Sequence, residues 1–256
     1  MSIHFRLDGP ADAPLLVLAN SLGTTFEIWS RNAARWAGAF RLLRYDHRGH
    51  GNSDLASEGF GVDDLGRDVV RLLDRLGIER ASFCGLSLGG AVGQWLAVNE
   101  PARIDRLVLA CTSPRFGDPE QWLDRARQVR AAGLAPLADS VVARWFTPRM
   151  FERDPGTVEA FRTMLLSIRR EGYAAACEAL AHWDDRAHIP EIEAPTLVIA
   201  GAEDPVVPPA DAVLLAEGIP RARLVVLPEA GHLANVEQAD AFASVVNEHL
   251  ALQEAA

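Results

Sequence analysis

The 256 residues carry 25 basic and 35 acidic side chains, a net charge of -10, and 49% hydrophobic content, the composition of a globular chain with an ample core. Every basic side chain is an arginine, which excludes a catalytic lysine or Schiff base; an acidic surface without a basic stripe disfavours nucleic acid or an anionic membrane as partner. No apolar run approaches the ~18 residues of a membrane helix, and the amino terminus lacks a basic segment followed by an apolar core, so a soluble cytoplasmic protein is expected.

Taken in order, residues 3–7 read as an edge strand, and the continuous apolar run 15–19 as a strand of the kind that fills a parallel sheet. The loop Asn20-Ser21-Leu22-Gly23-Thr24-Thr25 follows, then helical spacing over 26–36. A strand at 41–45 runs into the glycine-punctuated loop Asp46-His47-Arg48-Gly49-His50-Gly51-Asn52-Ser53-Asp54. Residues 62–76 place Leu65, Val69, Leu72, Leu73 and Leu76 on one helical face, with Asp63 and Asp64 in the first turn and Gly77 as the C-cap. A short strand at 81–84 and a helix at 89–99, stopped by Pro101, precede a strand at 106–110.

From 118 to 186 the strand rhythm breaks. Amphipathic helical patterns at 121–131, 138–145, 158–169 and 173–182 are separated by Gly133, Pro148, Asp154-Pro155 and Gly172. Strand and helix then alternate again: a strand at 196–200, a helix at 209–217, a strand at 224–227 and a last helix at 239–250. This predicts an α/β fold, a mostly parallel central sheet with helices on both faces. Residues 1–115 and 188–256 would form its core and 116–187 a helical cap over the carboxyl ends of the strands, where such sheets bind ligands. Cys84, Cys111 and Cys177 are scattered, in no C-x-x-C arrangement, and read as reduced, mostly buried thiols.

The chemistry gathers around Gly85-Leu86-Ser87-Leu88-Gly89, a G-x-S-x-G motif between a strand and a helix. Glycines let the turn crowd strand against helix and push the Ser87 hydroxyl over the sheet edge, while the Leu88 N–H sits at a helix N-terminus, aimed at a developing oxyanion. A serine needs a base, and the base an orienting carboxylate. Asp204 follows the strand at 196–200 and His232 the strand at 224–227, so the chain order is Ser, Asp, His. Asp118 is the alternative acid. The second oxyanion donor is expected from the loop after the strand at 15–19, with Leu22 the candidate, and the segment 46–54 reads as a brace for that region. His182 and His188 are poorly spaced for one helical face and have no evident third ligand, so no metal is expected.

With these residues placed, the chain resembles an α/β hydrolase over its whole length and, within that superfamily, the 3-oxoadipate enol-lactonases. The carriers are Leu18-Ala19-Asn20-Ser21-Leu22-Gly23-Thr24, Arg44-Tyr45-Asp46-His47-Arg48-Gly49-His50-Gly51, Cys84-Gly85-Leu86-Ser87-Leu88-Gly89-Gly90 and Gly93-Gln94-Trp95-Leu96. In the expected cap they are Arg144-Trp145-Phe146-Thr147-Pro148 and Glu171-Gly172-Tyr173-Ala174-Ala175, and near the end His232-Leu233-Ala234-Asn235-Val236-Glu237-Gln238. The departures are Leu88, where the elbow often carries methionine, and Ala176, where the cap often has a second cysteine. The resemblance implies cofactor-free hydrolysis of a small anionic lactone in aromatic catabolism. That substrate's carboxylate would need a cation, for which Arg144, Arg162 and Arg169 are candidates, with Trp145 as a pocket wall. Another serine hydrolase (a carboxylesterase, a C–C bond hydrolase or a perhydrolase) and a non-catalytic ligand-binding relative share the core motifs and are the alternatives. Oligomeric state is not legible from one chain.

Overall fold

The computed structural model describes residues 1–251. Its centre is a seven-stranded sheet in the order β1-β3-β2-β4-β5-β6-β7, with β1 (Phe5–Asp8) antiparallel to β3 (Arg41–Tyr45) at one edge. β2 (Leu15–Ala19), β4 (Ala81–Leu86), β5 (Ile104–Ala110), β6 (Thr196–Gly201) and β7 (Ala222–Leu227) run parallel to their neighbours. Leu16, Val17, Leu18 and Ala19 are all buried although alternate side chains point to opposite faces, so helices cover the sheet on both sides.

The helices along the first half of the chain are α1 (Ser30–Trp36), α2 (Val62–Arg75) and α3 (Leu88–Asn99), the last packed directly on the sheet. Between β5 and β6 the chain forms only helices: α4 (Pro119–Ala132), α5 (Ala138–Trp145), α6 (Pro148–Arg153), α7 (Pro155–Ser167) and α8 (Arg170–Ala181), apart from short 3-10 turns. α9 (Pro209–Gly218), α10 (Ala234–Glu237) and α11 (Ala239–Ala251) complete the chain. Within the insertion α4 packs on α8 and α5 on α7, while α1 packs on α11 through the aromatic cluster Trp29, Trp36 and Phe242.

Differences from the sequence reading lie at element ends and in two short helices. Residues 26–36 divide into a 3-10 turn, Phe26–Trp29, and α1. Pro148, read as a break, instead opens α6, because a proline at the first helical position gives up an N–H that would have no partner anyway. α10, four residues long, is too short to show a period.

Register brings the loops that follow these strands together. Ala19 lies beside Gly85, Leu86 beside Ala110, and Gly201 beside Leu227, so β2, β4, β5, β6 and β7 end along one sheet edge. Among the described residues no helix is long and apolar enough to cross a membrane. All three cysteines are free and buried.

Candidate active site

Between the end of β4 at Leu86 and the start of α3 at Leu88, Ser87 makes the turn alone, at φ 56 and ψ -113. A non-glycine residue in that region costs ~1–3 kcal/mol, so the surroundings must impose it. The Ser87 N–H donates to the Ala110 carbonyl at 2.9 Å, and its own carbonyl accepts from Thr112 Oγ1 at 2.7 Å and the Gly90 N–H at 2.8 Å. A Cβ on Gly85 would lie 2.0 Å from the Gly89 carbonyl oxygen, and one on Gly89 would lie 2.3 Å from that of Ala19. The two glycines of the motif are therefore dictated by backbone packed on backbone.

Asp204 and His232 stand on loops laced to each other. The Ala202 N–H donates to the Leu227 carbonyl and the Glu203 N–H to that of Ala230, both at 2.9 Å. His232 Nδ1–H donates to Asp204 Oδ2 at 2.9 Å, with the two side chains 2% and 0% exposed. The other carboxylate oxygen accepts from the Val206 and Val207 N–H groups at 2.8 and 3.0 Å, which fixes the orientation of the acid. With Nδ1 so engaged, Nε2 is the ring nitrogen left to take a proton. Asp118, the alternative acid, is exposed and caps α4 by accepting from the Glu120 N–H at 3.0 Å. Ser87 and His232 line one cavity but are not hydrogen-bonded to each other; such bonds tighten once substrate is in place.

The N–H groups of Leu22 and Leu88 donate to no acceptor among the described residues. The loop carrying Leu22 is held from below by the segment 46–54. His47 Nε2–H donates to the Asn20 carbonyl at 2.9 Å, which also accepts from the Gly89 N–H at 2.9 Å. His50 Nε2 accepts from the Gly23 N–H at 3.2 Å. Burial lowers the pKa of both histidines to about 4, so each is neutral near pH 7 and serves as a fixed donor or acceptor. Asn20 itself donates to the Tyr45 carbonyl at 2.7 Å and accepts from Trp29 Nε1 at 3.0 Å.

Over this edge lies a cavity lined by Ser21, Leu22, Ser87, Val206 and His232 below and Trp122, Arg125, Val141, Arg144, Trp145 and Tyr173 above. Of the expected substrate-binding residues, Arg144 and Trp145 line it. Arg162 and Arg169 are not among its lining residues. Arg162 sits on the outer face of α7 and pairs with Asp139 at 2.7 Å, while Arg169 is exposed and donates to the Ser53 carbonyl. Arg125, Trp122 and Tyr173 were missed from sequence. The Arg125 guanidinium lies 4.9 Å from the centre of the Trp122 ring, an i,i+3 pair on α4 whose spacing was visible but whose rotation toward the cavity was not. Burial, and next the nearby charge of Arg125, lower the pKa of Arg144. Two like charges brought together in this way favour an anion between them. His182 donates to the Glu178 carbonyl of its own helix and His188 pairs with Asp185; among the described residues no group of three His, Cys, Asp or Glu could hold a metal ion.

The family described as alpha/beta hydrolase fold matches residues 14–239. 3-oxoadipate enol-lactonase 2 of Acinetobacter baylyi is 43% identical over 242 residues, 94% of this chain and 90% of that protein. The crystal structure of the enol-lactonase from Burkholderia xenovorans LB400 superposes with a TM-score of 0.95 at 43% identity, covering 98% of this chain and 96% of that one. RutD of Stutzerimonas stutzeri, a carbamate hydrolase by name, is 30% identical over 264 residues, 98% of this chain and 97% of that protein. A strained serine between strand and helix, a histidine and aspartate joined on the neighbouring loops, and a match across most of its length together place this chain in the α/β-hydrolase family.

Proposed function

We propose that this hydrolase opens the lactone ester of 3-oxoadipate enol-lactone to give 3-oxoadipate, with Ser87 as nucleophile, His232 as base and Asp204 as the acid that orients it. The observation that carries the reading is the charge of the cavity. Arg125 and Arg144 make no ion pair with a carboxylate among the described residues, yet both border the space that holds Ser87 and His232, in a protein of net charge -10. A guanidinium pair there suits a substrate with a free carboxylate and offers a neutral ester nothing. The enol-lactonase relatives support the same choice.

In the proposed reaction His232 Nε2 takes the Ser87 proton as Oγ attacks the lactone carbonyl. The Leu22 and Leu88 N–H groups receive the oxyanion. Collapse breaks the ring C–O bond and expels an enol oxygen, which takes the proton back from His232; the enol then ketonises. A water deprotonated by His232 attacks the acyl-serine, and release of the carboxylic acid restores Ser87. An enol is a good leaving group, so recognition in the cavity sets specificity more than the power of the nucleophile.

The test is steady-state turnover of the lactone beside p-nitrophenyl acetate and a small carbamate, with Ser87→Ala as the blank for spontaneous opening. Lactone turnover far above both comparators and abolished by Ser87→Ala is the expected result. Preference for the plain ester would replace the lactonase reading with a general carboxylesterase, and preference for the carbamate would place the protein with RutD.

A further inference from the structure

We infer that Glu237 is a positioning residue for His232: its buried carboxylate ties the histidine loop to the end of α5, the helix whose Trp145 walls the cavity. The inference rests on the reading of Ser87 and His232 as nucleophile and base. Glu237 is 5% exposed and makes no ion pair within contact distance among the described residues, and both of its carboxylate oxygens are taken up by hydrogen bonds. They come from two separate parts of the chain. Oε2 accepts from the Gly231 N–H at 2.9 Å, the peptide next to His232. The Thr147 hydroxyl donates to Oε1, and the Thr147 N–H lies 3.2 and 3.3 Å from the two oxygens. Thr147 is 2% exposed and follows the end of α5 by two residues.

A second contact runs beside the first. The Leu233 N–H, on the other flank of His232, donates to the Trp145 carbonyl at 3.0 Å. A Cβ on Gly231 would meet that same carbonyl oxygen at 2.9 Å and Glu237 Oε2 at 3.2 Å, so the loop backbone lies directly on the Trp145 peptide. Both neighbours of His232 are thus bonded to one short stretch, Trp145 to Thr147, or to the carboxylate that holds it. The base and the cavity wall form one mechanical unit, and a substrate packed on Trp145 meets an imidazole whose position the same bonds set.

The experiment is the rate at which an aryl fluorophosphonate labels Ser87, followed across pH by intact mass, in wild type, Glu237→Gln, Thr147→Val and Thr147→Ser. This readout needs no knowledge of the natural substrate. Wild type that fails to label would strike the nucleophile reading itself, whereas wild-type labelling without lactone turnover would strike only the substrate. Thr147→Val removes the hydroxyl while keeping the shape of the side chain, and it decides the matter if Glu237→Gln does not fold. Expected is labelling slowed about tenfold in Thr147→Val, with a displaced pH midpoint, and restored to within about twofold in Thr147→Ser, since a base misplaced by a fraction of an ångström loses on that order. Wild-type rate and midpoint in Thr147→Val, or equal losses in the valine and serine variants, would overturn the inference.

Discussion

The sheet edge and the helical insertion contribute to one cavity by opposite means. At the edge, positions are set by backbone: Gly85, Gly89 and Gly201 each stand where a Cβ would come within 2.3 Å of a carbonyl oxygen, and Ser87 is held at φ 56. Above it, Trp122, Arg125, Arg144, Trp145 and Tyr173 arrive as side chains on α4, α5 and α8, which tolerate substitution as long as the helices still pack. The first arrangement admits almost no variation and suits chemistry common to many substrates. The second can be rewritten residue by residue and suits the choice among them.

Substitutions can break this comparison, and the largest effect belongs to the edge. Asp204→Asn keeps the shape but presents an amide to His232 Nδ1, and kcat is expected to fall on the order of 10⁴-fold for lactone and simple ester alike. A loss confined to one substrate would mean that the edge also selects. Next comes the guanidinium pair. Replacing Arg125 and Arg144 together with alanine is expected to raise KM for the anionic lactone by about 10- to 100-fold while p-nitrophenyl acetate kinetics change less than about twofold. Equal losses on both substrates would remove the division of labour.

A separate effect is expected on stability. His47 and His50 bind protons in the unfolded chain below their ordinary pKa of 6.5 but in the folded protein only near 4. Their contribution is therefore intact above about pH 6.5 and declines as pH falls toward about 4, a loss on the order of a few kcal/mol in the free energy of urea unfolding. Because both hold the loop that presents Leu22, stability that stayed flat over that window would show that the loop does not depend on their neutral forms. The smallest effect is Arg162→Ala, whose ion pair lies on the exposed surface: KM, kcat and stability are expected to stay within experimental error of wild type.

How much could be read in advance follows the same division. The elbow was legible because G-x-S-x-G between strand and helix is a local pattern with a local cause. That Asp204 and His232 would meet was legible because each follows the end of a strand, and parallel strands bring their carboxyl ends to one edge. Arg125 was not legible. Its periodicity placed it on α4, but which way α4 faces depends on packing against α8, a contact between segments about fifty residues apart. Arg162 and Arg169 were plausible for the same reason that Arg125 was invisible: charge and position in the insertion are visible in sequence, rotation about a helix axis is not. Glu237 stood in a recognised motif but its role went unread, since a carboxylate near the end of the chain gives no sign that its donors lie on Thr147, about ninety residues earlier.

The three buried thiols have a practical consequence. Burial raises the pKa of Cys84 and Cys111 and pushes that of Cys177 up to about 12, so none offers a thiolate while the surrounding structure stays closed. Cys84 is in the sheet and Cys111 directly follows it, whereas Cys177 is inside α8 of the insertion. A maleimide added to the native protein thus acts as a pair of clocks. If Cys177 is alkylated ahead of the other two, the insertion breathes on its own; if all three react at one rate, the molecule opens as a single cooperative body.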